Sequence, residues 1–177
     1  MIVVDPAEIG CGRKLPPNIL DALRKSAGTE GQWTDFATLQ VQSGYQIHSI
    51  DRSVRFTDDD RLFVQASLYH AMNDIVAGFA WPTLLSASVG FSEADLREDR
   101  HSTLSKSIVS VVETVNCGLG KLHSFVDRMT NITTSVCGNV RRTQAPSGAS
   151  GAIFLTKPLG CLKTIYLSNI GHTPKCL

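Results

Sequence analysis

The strongest constraint on the fold is a run of apolar residues at helical spacing between residues 103 and 119. Its members are Leu104, Ile108, Val111, Val112, Val115 and Leu119. Residues three and four apart lie on one side of a helix, so this spacing predicts an amphipathic helix with one buried side. That helix needs other apolar elements to pack against. With 42% hydrophobic residues, the chain has enough apolar side chains for a core.

Segments before and after this helix have the patterns of β-strands. Residues 37–42 and 45–50 alternate in polarity, and Ser43-Gly44 between them predicts a hairpin. Further strands are predicted at residues 84–91, 132–137 and 152–156. Because strands and helices mix without a regular βαβ rhythm, the sequence predicts an α+β fold with a mixed sheet packed against helices.

Two shorter helices are predicted ahead of the main one. Residues 16–17 are prolines, which suit the first turn of a helix, so a short helix should begin there. Residues 57–60 resemble a capping box and predict a second helix that continues to about Val76. Gly78 and Pro82 should end this second helix.

The charge of the chain is close to balanced. It has 17 basic and 16 acidic side chains, so no broad electrostatic field attracts nucleic acid or an anionic membrane. The first ten residues lack a basic start followed by an apolar run, as a secretory signal would have. The longest apolar stretch, residues 75–88, is interrupted by Gly78 and Pro82 and is too short to span a bilayer. We therefore expect a cytoplasmic protein with neither a nucleic acid nor a membrane partner.

The cysteines argue against a disulfide framework or a zinc site. Their number is odd and no C-x-x-C spacing occurs. They are Cys11, Cys117, Cys137, Cys161 and Cys176. We expect reduced thiols that are mostly buried, with only Cys11, between two glycines, placed for chemistry.

The first motif is Gly10-Cys11-Gly12-Arg13-Lys14 followed by Leu15-Pro16. It resembles the glycine-rich amino-terminal loop of selenophosphate synthetases, in which a Cys or selenocysteine and a Lys lie over the ATP phosphates. The resemblance implies that Cys11 and Lys14 are the catalytic positions. A thiolate is a soft nucleophile able to carry selenium, and an ammonium group neutralises phosphate charge. The plain alternative is a terminal tail with an incidental thiol.

The second motif covers residues 70–78 and resembles the family's Asn-Ala-x-Ser-Asp-x-x-Ala-Met-Gly stretch. The resemblance implies that Asp74 is a magnesium ligand. Upstream, Ser49-Ile50-Asp51 is similar to a Thr-Thr-Asp element that contacts the nucleotide, and His123 matches a family histidine near it. Carboxylates of this kind suit a hard cation that bridges phosphates. The plain alternative is a solvated helix face.

The third motif, residues 154–160, closely resembles the Leu-Thr-Lys-Pro-Leu-Gly run at the end of the family's first domain. All three motifs occur in the family's order. The resemblance implies the first domain of a two-domain enzyme of the aminoimidazole ribonucleotide synthetase (PurM-like) superfamily, with ATP and Mg²⁺ as cofactors and a homodimer as the assembly. Residues 1–17 would be a flexible glycine- and proline-rich loop, and residues 18–170 a single domain, with the family's second domain absent.

Several positions depart from the family pattern where metal should bind. The family has paired aspartates where this chain has Asp35-Phe36, and a phenyl ring cannot hold magnesium. The ligand asparagine four residues before Asp74 is His70, a poor ligand for a hard cation. His70 and Asp74 lie one helical turn apart, so they can pair with each other instead.

Other departures concern glycines that let the backbone approach ATP. Lys121-Leu122 replaces the Gly-Gly before His123, and Phe79-Ala80 replaces two glycines after Gly78. The chain ends at Leu177, about where the family's second domain should begin, and we expect this to be a natural end.

These features lead to three hypotheses. The first is an inactive selenide, water dikinase-like protein, a pseudoenzyme with a binding or regulatory role, which could pair with a full-length selenophosphate synthetase. The alternative is an active or partner-complemented synthetase that makes selenophosphate from selenide and ATP. The third is a thiol-bearing selenium or metal binder that uses Cys11, with His70 and Asp74 as a weak site.

Overall fold

The computed structural model describes residues 16–26 and 36–140 of the 177-residue chain. The described helices are α1 (Pro17–Ser26), α2 (Asp60–Ala77), α3 (Glu93–Arg97) and α4 (Arg100–Val115). The described strands are β1 (Ala37–Val41), β2 (Gly44–Val54), β3 (Trp81–Phe91), β4 (Gly118–Val126) and β5 (Asn131–Val140).

The strands form one mixed sheet in the order β1-β2-β5-β3-β4. β5 is antiparallel to both of its neighbours, β2 and β3, whereas β3 and β4 are parallel. β2 and β3 therefore run in the same direction, and α2 connects them. α4 makes the equivalent connection between β3 and β4. The predicted α+β fold with a mixed sheet packed against helices is confirmed.

The core lies between one face of the sheet and the pair of helices α2 and α4. Its fully buried side chains include Phe63, Leu68, Ile75, Leu85, Leu104, Ile108, Ile132 and Val136. The opposite face of the sheet has no helix over it within the described residues. In the same parts of the chain, no helix is long and apolar enough to cross a membrane.

The main predicted helix is confirmed, but its bounds were wrong at both ends. α4 begins at Arg100 and ends at Val115. It ends there because Asn116 adopts a left-handed conformation with φ 56°. Asparagine tolerates that conformation better than most residues, so it ends the helix. Leu119, predicted on the helix, lies in β4 instead.

The start of α2 also differs from the prediction. The residue that caps the helix is Asp59, whose Oδ1 accepts from the Leu62 backbone N–H at 3.0 Å. The Thr57 hydroxyl oxygen instead accepts from the Asp59 backbone N–H at 3.2 Å. The predicted capping box was therefore displaced by two residues. The predicted end at Gly78 is confirmed.

The hairpin of β1 and β2 is confirmed, with β2 longer than predicted. β3 begins at Trp81 and so includes Pro82, which lies at an irregularity in the ladder with β5. Proline is tolerated there because a bulge interrupts the hydrogen bonding. β4, with its sequence GLGKLHSFV exposed throughout, was not predicted. The strand predicted at residues 152–156 lies outside the described residues.

Candidate functional site

The inward face of β2 is unusually polar for a surface that a helix covers. Ile47 and Ser49 are buried, Asp51 is half-buried, and Ser53 is buried, all facing α2. Ile50, between them, points to the other face and is 65% exposed. Polar groups removed from water in this way need partners within the protein or a ligand.

The side chains on α2 are placed over this strand in a regular register. Asp74 lies against Ser49, whose hydroxyl donates to Asp74 Oδ2 at 2.8 Å. One turn later, a Cβ on Gly78 would come within 2.9 Å of Ile47 Cγ2. Four helical residues rise about 6 Å, close to the span of two strand residues, so the helix and the strand keep this register.

A glycine on the neighbouring strand allows the same close approach. Gly138 on β5 pairs with Ile47, and a Cβ there would come within 2.6 Å of Ile75 Cγ2. It would also come within 2.5 Å of the Trp81 carbonyl oxygen, which is part of the backbone. The absence of a side chain at Gly138 thus lets the carboxyl end of α2 lie tightly on the sheet, where Asp74 meets Ser49.

The environment of Asp74 disfavours its charged form. Burial is the largest cause and raises the pKa of Asp74 to about 6, and the neighbouring Asp51 raises it further through a hydrogen bond and like charge. The Ser49 hydroxyl and the charge of His70 act in the opposite direction. Asp74 therefore exchanges its proton near pH 6 rather than near pH 4. The sequence-based suggestion that His70 and Asp74 interact is consistent with this electrostatic contact.

Asp51 completes a pair of neighbouring carboxyl groups. Its Oδ2 is buried and has no hydrogen-bond partner, and the Asp51 carboxyl group lies close enough to raise the pKa of Asp74. Oxygen donors of this type fit a hard divalent cation, which commonly takes one or two carboxylates and completes its shell with phosphate and water. Among residues 16–26 and 36–140, no cluster of three or more His, Cys, Asp or Glu residues could hold a metal.

The other predicted site residues are distributed differently. His123 lies on β4 and pairs with Ser88, so it points to the sheet face away from α2. Its ring stacks on Phe125 with centroids 6.1 Å apart. Asp51 and Asp74 are thus brought together, whereas His123 is three strands away on the opposite face. Phe36 packs partly buried against the core.

The predicted catalytic Cys11 and Lys14 lie outside the described residues, as do Asp35 and the motif at residues 154–160. Two cysteines are described and both are free thiols. Burial raises the pKa of the Cys117 thiol, and the neighbouring Cys137 adds to the shift. Cys117 is therefore a poor source of thiolate, in agreement with the prediction of a buried structural cysteine.

The inward polar residues Ser49, Asp51 and Ser53 form a polar row under α2, and a second buried cluster of charges lies just beyond its Ser53 end. The Arg55 guanidinium, 2% exposed, bonds to Asp60, and it donates from Nη1 to Asp95 Oδ2 at 3.2 Å. Thr130 donates its hydroxyl hydrogen to Asp95, and Arg100 Nη1 lies 3.3 Å from Asp60 Oδ1. Through opposite charges this cluster joins the residue that follows β2 to α2, α3 and α4 and to the residue that precedes β5. It was not predicted from the sequence.

Two hydroxyl groups beside the carboxylate pair also escaped the sequence analysis. Ser53 and Thr134 are 2% and 1% exposed, and their hydroxyl oxygens have no hydrogen-bond partner. A sequence signal existed, because residues 49, 51 and 53 alternate as polar positions along one strand. Such alternation ordinarily indicates the solvent side, which is the wrong face here.

Comparison with known proteins identifies the fold. The chain is similar to the solved structure "AaThiL complexed with AMPPCP and TMP", with a TM-score of 0.64, 13% identity, and coverage of 74% of this chain and 46% of that one. Thiamine monophosphate kinase from Aquifex aeolicus matches with a TM-score of 0.62, 13% identity and coverage of 71% and 43%. PurLQS from Thermotoga maritima matches with a TM-score of 0.52, 9% identity and coverage of 60% and 20%.

No protein-family model and no curated protein matches the sequence. The chain spans less than half the length of each solved structure named above. At identities of 9–13% these similarities concern the fold. The chain has the PurM-like fold, an α+β domain shared with a kinase whose structure holds an ATP analogue.

Proposed function

We propose that the protein is a selenide, water dikinase-like pseudoenzyme that binds Mg²⁺-ATP and acts by binding or regulation. The observation that carries the proposal is the carboxylate pair Asp51 and Asp74 under α2. Both residues match positions of the selenophosphate synthetase motifs, and Ser49 orients one of them through its 2.8 Å hydrogen bond. The fold is one in which a kinase relative holds AMPPCP.

The nucleotide would reach the site as a metal complex. Mg²⁺ takes few protein ligands and retains water and phosphate oxygens, so two carboxylates are sufficient to hold it beside a bound triphosphate. Asp51 and Asp74 would supply these ligands. The metal would in turn neutralise two like charges that the protein holds close together.

The proposed lack of activity rests on positions where the family motifs have metal ligands or glycines and this chain has other residues. Phosphoryl transfer depends on positioning and on neutralising charge in the transition state, so each lost metal ligand removes part of the rate enhancement. Phe36 supplies no oxygen donor, and His70 is a nitrogen donor suited to softer metals. Phe79 adds bulk where the family pattern has glycine. We therefore propose binding without turnover by this chain alone.

The test is calorimetric titration of the full chain with Mg²⁺ and AMPPCP, with selenide-dependent ATP turnover measured in the same preparation. We expect Mg²⁺-dependent binding of the analogue that weakens at least about tenfold in Asp74→Ala, because a ligand to the metal is lost. Glu113→Gln, an exposed carboxylate on α4, is the control and should bind as the wild type does. Absence of Mg²⁺-dependent binding in the wild type would contradict the proposal.

A second candidate is an active synthetase complemented by another chain. It is favoured by the retained carboxylate pair, Asp51 and Asp74, and by the Ser49 hydroxyl that donates to Asp74. Mixing the chain with a full-length selenophosphate synthetase tests this. The mixture could turn over ATP with selenide faster than the sum of the two separate proteins, and Asp74→Ala could abolish that gain. This result would favour a complemented synthetase over a pseudoenzyme. Co-purification without a gain would support a regulatory partnership.

We also propose that the chain forms a homodimer through the open face of the sheet. Ile50, Leu84 and Phe125 are 65%, 44% and 42% exposed on that face, and an apolar surface of this kind indicates an interface. Sedimentation should give a dimer for the wild type and a monomer for Ile50→Glu. Val109→Glu, at an exposed apolar position on α4, is the matched control and should stay dimeric. A monomeric wild type would contradict this assembly.

A further inference from the structure

The open face of the sheet carries an imidazole and a thiol side by side. His48 on β2 and Cys137 on β5 are direct partners in the antiparallel ladder, where facing Cβ atoms lie about 5 Å apart. Both side chains point away from α2, because their neighbours Ile47 and Val136 are buried in the core and side chains alternate along a strand. His48 is exposed, and Cys137 is a half-buried free thiol. Histidine nitrogen and cysteine thiolate are ligands that zinc prefers.

The imidazole ring of His48 is held by a second contact. Its Nε2 lies 2.9 Å from the Ser135 hydroxyl oxygen. A histidine that binds a metal through one ring nitrogen commonly hydrogen-bonds through the other, which fixes the tautomer and the orientation of the ring. The contact with Ser135 therefore leaves Nδ1, the ring nitrogen closer to the backbone, as the metal ligand.

One protomer supplies two ligands, and a second copy would supply two more. Within residues 16–26 and 36–140, no group of three or more His, Cys, Asp or Glu could hold a metal. A twofold axis through the open face would bring the same pair again from the other copy. β5 is the third of five strands, so the pair lies near the middle of the sheet. The exposed apolar side chain of Leu84 lies beside Cys137 in the same row, and exposed Ile50 lies two residues from His48.

The spacing of packed sheets suits one metal ion between the two copies. Sheets that pack face to face lie about 10 Å apart, so an ion midway between them is about 5 Å from each backbone layer. Zinc binds sulfur at about 2.3 Å and nitrogen at about 2.0–2.1 Å. Added to the short reach of a cysteine, or of a histidine that binds through Nδ1, these bond lengths bring the ligands of both copies to the same ion.

We propose that His48 and Cys137 of two copies form a tetrahedral Cys₂His₂ site for one Zn²⁺ across the dimer. The inference rests on the homodimer proposed above and names the ion that would hold its two sheets together. On binding, each Cys137 thiol releases its proton to solvent, so two thiolates balance the charge of the ion. Four protein ligands leave no open position, which assigns a structural role to the metal. The sequence predicted no zinc site, because these ligands meet through strand pairing and a second copy rather than through a local spacing.

The test measures zinc binding and self-association on the same preparation of the full chain. Metals are removed with a chelator under reducing conditions, Zn²⁺ is titrated in competition with a chromophoric chelator, and sedimentation is recorded with and without Zn²⁺. We expect one Zn²⁺ per two chains, and a dimer dissociation constant at least about tenfold lower with the metal. Co²⁺ in place of Zn²⁺ should give the charge-transfer absorption of a thiolate ligand.

Four substitutions separate this site from other zinc binding by the chain. Cys137→Ala and His48→Gln should each abolish the half-equivalent of zinc and the metal-dependent gain in dimerisation. Cys117→Ala removes the other described thiol, which is buried, and is the matched control for cysteine. His123→Gln removes the histidine of β4 on the same face and is the matched control for histidine. Both controls should keep the stoichiometry and the gain in dimerisation.

The possible outcomes separate the zinc site from the homodimer. A dimer that binds no zinc, or whose zinc binding survives Cys137→Ala, would overturn the site and leave the homodimer standing. A chain that stays monomeric with and without Zn²⁺ would overturn both. One Zn²⁺ per chain would contradict a site shared between two copies. Nucleotide binding is measured with Mg²⁺ in the absence of Zn²⁺, so its result is independent of the zinc site.

Discussion

The two ends of the polar row under α2 carry buried charge in opposite ways. At one end, Arg55 is surrounded by the carboxylates of Asp60 and Asp95, so opposite charges meet and most of the hydrogen-bonding groups are satisfied. At the other end, Asp51 and Asp74 place like charges together, and one buried oxygen has no partner. Both ends involve α2, but the Arg55 end also draws on α3 and α4.

This difference separates a structural cluster from a site that is prepared for a ligand. A satisfied ion cluster gains nothing from a further ligand, and removing one of its members leaves an uncompensated charge. A pair of carboxylates costs stability until a cation binds, which is characteristic of functional positions. Removing the charge at each end should therefore have opposite effects on the protein. Loss of the Arg55 charge should lower the free energy of unfolding, and loss of the Asp74 charge should raise it.

The largest expected effect is at the Arg55 end. Arg55→Met keeps much of the side-chain volume and leaves Asp60 and Asp95 buried without their main cation. We expect the free energy of unfolding to fall by about 3–5 kcal/mol. Urea unfolding followed by circular dichroism measures this change.

The control for Arg55 is an ion pair of the same type on the surface. Arg97 Nη1 lies 3.7 Å from Glu93 Oε2, with side chains 73% and 79% exposed. Arg97→Met should change the free energy of unfolding by less than about 0.5 kcal/mol, because solvent screens an exposed pair. If Arg55→Met and Arg97→Met lower the free energy of unfolding by similar amounts, the buried Arg55 cluster contributes no more to stability than an exposed ion pair.

Packing at the Asp74 end gives the next largest effect. Gly138→Ala would place a Cβ 2.5 Å from the Trp81 carbonyl oxygen, a backbone atom that cannot turn away. We expect a loss of about 1–3 kcal/mol in urea unfolding, with weaker Mg²⁺-dependent nucleotide binding as α2 is pushed from the sheet. In Gly120→Ala the nearest atom is the Ser86 hydroxyl oxygen at 2.8 Å, a side-chain atom that can rotate. Equal losses in both variants would argue against a special close approach at Gly138.

The third prediction concerns the pH dependence of Asp74. Its pKa is raised to about 6, so between about pH 4 and 6 the folded state holds a proton that the unfolded chain has released. Stability therefore falls as pH rises through this window, and the full penalty is present above about pH 6. Asp74→Asn removes the penalty and should stabilise the protein by about 1–2 kcal/mol at pH 7.5, discounted for partial exposure, and by little at pH 4.

Urea unfolding across pH measures this effect, and Asp127 provides a control of the opposite sign. The Arg128 backbone N–H and the Asn131 side chain lower the pKa of Asp127, so its contribution is present above its ordinary pKa and is lost as pH falls. Asp127→Asn should therefore reduce stability at neutral pH rather than increase it. A destabilised Asp74→Asn at pH 7.5 would contradict the contrast between the two ends of the row.

The sequence predicted the elements better than the contacts among them. Local periodicity located α2, α4 and the hairpin, because one apolar side or one alternating face is a property of neighbouring residues. β4 was missed because it is an exposed edge strand with no buried face to set a pattern. The inward serines of β2 were misjudged for a different reason: alternating polar residues ordinarily indicate the solvent side, and burial of a polar face is decided by the helix that covers it.

The candidate site was predictable only in part. The motif resemblance brought Asp51 and Asp74 to attention, and the structure places them together. Three of the contacts in the Arg55 cluster join residues 35 to 40 positions apart, and no local pattern signals them. Ser53 and Thr134 likewise become neighbours only through the pairing of β2 with β5.

The smallest expected effect lies just past the end of α2 that carries Asp74. Phe79 adopts φ 60°, a conformation that favours glycine, and its side chain is 74% exposed. Phe79→Gly should raise the free energy of unfolding by about 0.5–1 kcal/mol, because relief of strain exceeds the entropy that glycine adds to the unfolded chain. Ala77→Gly, two residues earlier within the helix, should lower it by a similar amount. If both variants lose stability, the Phe79 ring makes a stabilising contact that outweighs the strain of its backbone. The carboxyl end of α2 would then be held by that contact as well as by the close packing at Gly78 and Gly138.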